Sequence, residues 1–126
     1  MSWLDQYKTK AVSLAEAVSV VKSNDRIFIS GNAATPTLLA EGLAQRKDDL
    51  RNVEVNHILV LGDDPLSKPG MEHHFRHNSL FVGAADRDAI AEGRSDYVPV
   101  HLSEIPSLFT DRVIPIDVAL VHLSPP

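Results

Sequence analysis

The sequence contains no cysteine. That excludes a disulfide framework, a thiol nucleophile and a Cys-ligated zinc site. Basic charge is also scarce: 12 Lys and Arg stand against 17 Asp and Glu, a formal net charge of −5 at pH 7. A nucleic-acid binder shows a basic patch or stripe, so no nucleic-acid partner is expected. No apolar run approaches the length of a bilayer span. Residues 1–10 carry Asp5 and lack an apolar stretch followed by a small-residue cleavage site, so they do not form a secretory signal. A soluble, cytoplasmic protein with no membrane partner is the expectation. Internal repeats, low-complexity tracts and linker-like stretches are absent too. The 126 residues fit one domain, and a hydrophobic content of 44% is enough to build its core.

The periodicities alternate between strand and helix. Ser13 to Glu16 has capping-box spacing, and Leu14, Ala17, Val18 and Val21 fall on one face of the helix it opens. Arg26–Ser30 reads as a short buried strand. Residues 31–34 form a tight loop, with Thr35 as N-cap and Pro36 at the first position of a helix running to about Lys47. Val53 to Leu61 is the next strand, and its continuous Ile58–Leu61 run suggests burial on both faces, as in a parallel sheet. A polar loop spans Gly62 to Gly70, and one or two helical turns are predicted over Met71–His77. Further expectations are a strand at 79–82, a helix at 86–92 stopped by Gly93, an edge strand at 97–101 broken by Pro99, a helix at 103–110 and a buried strand at 117–123. Together these predict an α/β fold, an open, mostly parallel sheet with helices on both faces and right-handed crossovers.

Ligands of open α/β sheets bind outside the carboxyl ends of the strands. The loop from Ser30 to Pro36 is therefore the candidate site. Gly31 permits close backbone approach, Asn32 offers a donor and an acceptor, and the helix N-terminus beyond Thr35 suits a carboxylate or thioester oxygen. The same residues would equally make a well-capped turn. The loop lacks the G-x-G-x-x-G and Gly-Lys-Ser/Thr patterns of nucleotide sites. His73 and His77 are four apart, half of a zinc pattern on a helix, but no H-E-x-x-H accompanies them and no metal is expected there. His57, His101 and His122 fall in expected strands, where lone histidines are more often satisfied core or interface groups than bases.

Four blocks in order resemble the acetyl-CoA hydrolase/transferase family, in particular its 4-hydroxybutyrate and butyrate:acetate CoA-transferase branch. They are the Ser30–Pro36 loop, the segment from His74 to Gly83, the run Glu92-Gly93-Arg94-Ser95-Asp96-Tyr97-Val98-Pro99 with Leu102–Pro106 after it, and Asp117–Val121 with Ser124-Pro125-Pro126. The resemblance implies transfer of CoA between an acyl-CoA and a small carboxylic acid, through an acyl-glutamyl anhydride and a glutamyl-CoA thioester. CoA is then a substrate and no separate cofactor is expected. Hydrolysis is the variant in which water replaces the acceptor acid. A non-catalytic binding or assembly module and an unrelated anion-binding α/β domain are the alternatives. The family's glutamate and its glycine-rich CoA segment lie in the second half of such enzymes, and none of Glu16, Glu41, Glu54, Glu72, Glu92 or Glu104 matches that position. Residues 1–126 are accordingly expected to be the N-terminal α/β portion, cut before the catalytic glutamate, partnered by a C-terminal domain and homo-oligomeric when whole. No catalytic residue is assigned. Gly31, Asn32 and Thr35 are expected to bind substrate as one wall of the acyl pocket, and Arg94, Asp96 and Tyr97 to tie a turn to its neighbours.

Overall fold

Alternation within three short segments builds the centre of the molecule. Ile27 and Ile29, Val53 and Val55, and Phe75 all point to one side of a sheet and are buried with Val18, Val21, Ala40 and Leu43. The computed structural model describes residues 2–125. Its strands are β1 (Arg26–Ile29), β2 (Val53–His57), β3 (Phe75–Ser79), β4 (Asp96–Tyr97) and β5 (Val118–Leu120). They form one five-stranded sheet in the order β4-β3-β2-β1-β5, with every pair parallel. The helices are α1 (Trp3–Lys10), α2 (Leu14–Val18), α3 (Thr37–Gln45), α4 (Ala84–Ala91) and α5 (Ile105–Thr110). Met1 and Pro126, the last residue of the Ser124-Pro125-Pro126 block, lie outside the described residues.

Helices cover both faces. Leu43 of α3 and Val18 of α2 pack on the side that carries Ile27 and Val55. On the opposite side the Phe109 ring of α5 meets Phe28 edge-on, with centroids 5.5 Å apart. That second face is otherwise a polar ladder across the sheet. Arg26 pairs with Glu54 (3.3 Å), Asn78 donates to Asn56 (2.8 Å) and Arg76 forms a two-bonded pair with Asp96 (2.5 and 2.8 Å).

The α/β parallel architecture expected from the sequence is present, with several boundaries moved. α1, capped reciprocally by Ser2 and Asp5, buries none of its residues and so left no amphipathic signal in the sequence. Ser13 caps α2 by accepting from the Glu16 amide, but only this half of the expected capping box forms. α3 starts at Thr37, with Pro36 rather than Thr35 in the capping position, because residues 32–34 wind into a 3-10 turn first. The expected helical turns at Met71–His77 are wrong: Phe75 to Ser79 is a central strand. Its inward residues are Phe75, His77 and Ser79, and two polar side chains hid the alternation. β2 stops at His57 instead of Leu61, since the Leu59 carbonyl leaves the sheet to accept from the Asn32 amide at 2.7 Å. β5 is a three-residue edge strand, not a buried run to Leu123, and within it only Leu120 is fully buried.

Candidate functional site

The chain order sets where the sheet can hold a ligand. From β1 each new strand is added on one side through β2 and β3 to β4, and the chain then crosses under the sheet to place β5 on the other side of β1. The order reverses between β1 and β5, and a crevice opens at such a switch point beyond the carboxyl ends of the strands. A groove of about 480 Å³ lies there, walled by Thr35, Pro36, Leu38 and Leu39 after β1 and by Val121 and Leu123 after β5.

Ser30 joins the two walls. Its hydroxyl donates to the Ala34 carbonyl (2.5 Å) and accepts from the His122 amide (3.0 Å), while its own amide donates to Leu120 (3.0 Å). Gly31 is fixed by contact rather than by φ. A Cβ there would stand 2.4 Å from the Leu59 carbonyl oxygen, so only glycine lets the loop lie against the strand-to-loop segment after β2. Asn32 holds a left-handed φ of 53°, a conformation that asparagine tolerates better than most residues. Its side chain is exposed. The Thr35 hydroxyl donates to the Asn32 carbonyl (2.8 Å) and accepts from the Leu61 amide (3.3 Å), locking the loop while the residue lines the groove. Of the three expected substrate-binding residues, the structure places Thr35 on the groove wall, Gly31 at the backbone crossing beneath it and Asn32 on the loop's solvent side.

The six glutamates stand elsewhere. Glu54 pairs with Arg26 and Glu92 with Arg94, Glu72 accepts from the Gly70 amide and Glu104 from the His101 amide. Glu16 and Glu41 are exposed on α2 and α3. None lines the groove. Arg94 also donates to the Ser67 carbonyl (2.5 Å), tying the turn between α4 and β4 to the β2–β3 loop, and Asp96 ties β4 to Arg76 of β3. Tyr97 of β4 is half-exposed.

Sequence reasoning passed over a second grouping. His57 ends β2, His77 and Ser79 belong to β3, Asp86 lies in the first turn of α4, and the loop between β2 and β3 delivers Asp64. All five are buried. His57 Nε2 and His77 Nδ1 are 2.9 Å apart, and the Asp86 carboxylate lies 3.6 Å from each. Asp64 sits 3.3 Å from the other nitrogen of His77, and the Ser79 hydroxyl 3.3 Å from His57 Nε2. Burial, and after it the neighbouring His77, hold the His57 imidazole down at about 3, and burial alone holds His77 at about 4. Both are neutral at physiological pH. Burial raises Asp86 to about 6, reinforced by the Asp64 charge, and burial raises Asp64 as well. The register Val55↔His77 and His57↔Ser79 brings these strand residues onto one face. A helical reading of residues 71–77 conceals that juxtaposition. His73, the other half of the spacing noted in the sequence, is exposed on a turn and shares no helix with His77.

Fold and groove define a parallel α/β domain with its ligand crevice at the β1/β5 switch point. The chain belongs to the acetyl-CoA hydrolase/transferase family, whose N-terminal domain it matches over residues 1–126. It is 40% identical over 126 residues to a 4-hydroxybutyrate coenzyme A transferase of Clostridium kluyveri, covering 100% of this chain and 29% of that protein. It is 41% identical over 113 residues to a succinyl-CoA:acetate/propanoyl-CoA:succinate CoA transferase of Fasciola hepatica, covering 88% of this chain and 23% of that one. The fold superposes on RipA from Yersinia pestis with a TM-score of 0.86 at 25% identity, over 96% of this chain and 30% of the other. The chain thus spans less than a third of the length of the relatives it matches. Among the described residues no helix is long and apolar enough to cross a membrane.

Proposed function

We propose that this chain is the N-terminal portion, residues 1–126 forming one α/β domain, of an enzyme that moves CoA between an acyl-CoA and a small carboxylic acid. The observation that carries the reading is the groove at the β1/β5 switch point. Its walls are largely apolar, it is large enough for a short acyl chain, and it is flanked by the loop of Gly31, Asn32 and Thr35. In this reading those three residues form or support one wall of the acyl pocket. A glutamate outside these 126 residues attacks the thioester and expels CoA thiolate, giving an acyl-glutamyl anhydride. The thiolate attacks the glutamyl carbonyl and releases the first acid as its carboxylate, leaving a glutamyl-CoA thioester from which a second acid collects CoA by the reverse steps. CoA is the substrate and no further cofactor takes part in the transfer. The partners are acyl-CoA, carboxylic acids and a C-terminal domain that closes the groove, the whole enzyme is a homo-oligomer, and its compartment is the cytoplasm.

The test uses the chain by itself. With no glutamate on the groove, the purified 126-residue chain should transfer no acetyl group from acetyl-CoA to a carboxylic acid, in an assay following thioester loss. Measurable transfer would place the nucleophile within these residues and refute the division of labour.

A further inference from the structure

The buried grouping beneath α4 takes no part in the groove, yet it gathers more unsatisfied polar atoms than a core of this size should hold. His57 Nδ1, Asp64 Oδ2, His77 Nε2 and both Asp86 carboxylate oxygens are buried without a hydrogen bond. Among the described residues neither Asp64 nor Asp86 pairs with a lysine or arginine. A carboxylate buried without a compensating cation is strongly unfavourable, and so is a buried polar atom left unpaired. A cation beside Asp86 would compensate its charge and engage its orphaned Oδ1, and two further donors stand next to that oxygen. His57 Nε2, His77 Nδ1 and Asp86 Oδ1 form a triangle with edges of 2.9, 3.6 and 3.6 Å. Ligand atoms held about 2.0–2.1 Å from a tetrahedral zinc stand about 3.3 Å from one another, the mean spacing found here.

We propose that His57, His77 and Asp86 bind one divalent transition-metal ion of the zinc class, with Asp64 orienting His77 from behind. The donor set is two imidazoles and a carboxylate, which suits zinc better than calcium or magnesium, whose ligands are oxygens. Asp64 lies against the nitrogen of His77 that faces away from the triangle, the carboxylate–histidine–metal arrangement that fixes ring orientation. The Ser79 hydroxyl lies 3.3 Å from His57 Nε2, against the same cluster. His57, His77 and Asp86 are each 0% exposed, so the ion is structural: no substrate reaches it. It joins the last residue of β2 and the middle of β3 to the first turn of α4. It thereby steadies the segment after β2, whose Leu59 carbonyl receives the groove loop at Gly31 and Asn32. The absence of metal expected from His73 and His77 concerned a different pair, and the sequence did not bring these three donors together.

The experiment measures zinc by inductively coupled plasma mass spectrometry in the purified chain, freed of any metal-binding tag and passed through gel filtration. About one zinc per chain is expected, with cobalt substitution giving the visible absorption of a tetrahedral site. Asp64→Asn should weaken zinc 10–100-fold in competition with a chromophoric chelator. Asp86→Asn should abolish stoichiometric retention, and His73→Ala, at an exposed turn, should change nothing. A folded wild-type chain that takes up neither zinc nor cobalt in excess, and melts at the same temperature with and without zinc, overturns the proposal and leaves a proton-sharing network. Uptake that Asp86→Asn and His57→Ala both leave intact overturns the site. If the metal-free chain is unfolded, failure of zinc to restore its circular dichroism overturns it equally.

Discussion

Gly31, Asn32 and Thr35 illustrate how differently three neighbours in one loop can act. Gly31 is needed because the Leu59 carbonyl leaves no space for a Cβ. Thr35 commits its hydroxyl to two backbone groups. Asn32 alone has a polar side chain turned to solvent with no hydrogen bond in its loop, on the loop where the groove opens. In the full-length enzyme proposed above, Asn32→Ala should therefore cost more in turnover than in folding. Loss of the left-handed preference of asparagine should destabilise by ~1 kcal/mol or less, a drop in melting temperature of a few degrees. The loss of the proposed hydrogen bond to substrate, worth roughly 1–3 kcal/mol, should lower kcat/KM by about 5–150-fold. Unchanged kcat/KM with a clearly reduced melting temperature would assign Asn32 to the turn instead.

At the scale of elements, the short joint that borders the groove is β5. It pairs with β1 through only three residues, and beyond Leu120 the chain leaves the sheet with Val121 and Leu123 exposed. Ser30 extends that pairing by one more bond, its hydroxyl bridging Ala34 and the His122 amide. Ser30→Ala should remove both bonds and destabilise by roughly 1–3 kcal/mol. The loss should be concentrated at the groove, so amide exchange of His122 and Ala34 neighbours should accelerate well before that of Val55 in the central strand β2. Uniform acceleration across the sheet would mean that Ser30 supports the core as a whole. The connection from β2 to β3 is the other unusual element. A parallel crossover is ordinarily helical, but residues 58–74 cross without an α-helix and bury Val60, Leu66 and Met71 in its place. That substitution is what carries Asp64 into the interior.

On the scale of the whole molecule, apolar surface is left on α1 and on the groove walls. Trp3 and Tyr7 of α1 are 62% and 53% exposed, and Leu38 and Leu123 on the groove walls 64% and 76%. Exposed apolar groups that gather into a patch, as Leu38 and Leu123 do on the groove, mark an interface. The isolated chain is expected to self-associate, or to be less stable than a domain of its size should be. Size-exclusion chromatography with light scattering, together with dye binding to apolar surface, checks this. A monodisperse monomer that binds no dye and melts sharply at high temperature would show that residues 1–126 are self-sufficient. A C-terminal domain seated over the groove would cover Leu38 and Leu123 and suppress the association.

The sequence determined the class of fold and the location of the groove. Ile27 with Ile29, and Val53 with Val55, are apolar residues whose spacing depends only on local backbone geometry, and the glycine loop after β1 lies where any parallel sheet must present it. Its four family blocks also determined the family. What the sequence could not determine was everything carried by long-range pairing. The strand β3 was concealed because His77 and Ser79 are polar residues facing inward, a pattern that makes sense only beside His57 and Asp86. The end of β2 was hidden because Leu59 gives its carbonyl to Asn32, 27 positions earlier in the chain. Burial turned histidines that looked incidental into neutral donors within 3.6 Å of a carboxylate. Spacing along the chain sets which way a side chain points, but only the packing of β2, β3 and α4 decides which other side chains it meets and how far water is excluded from them.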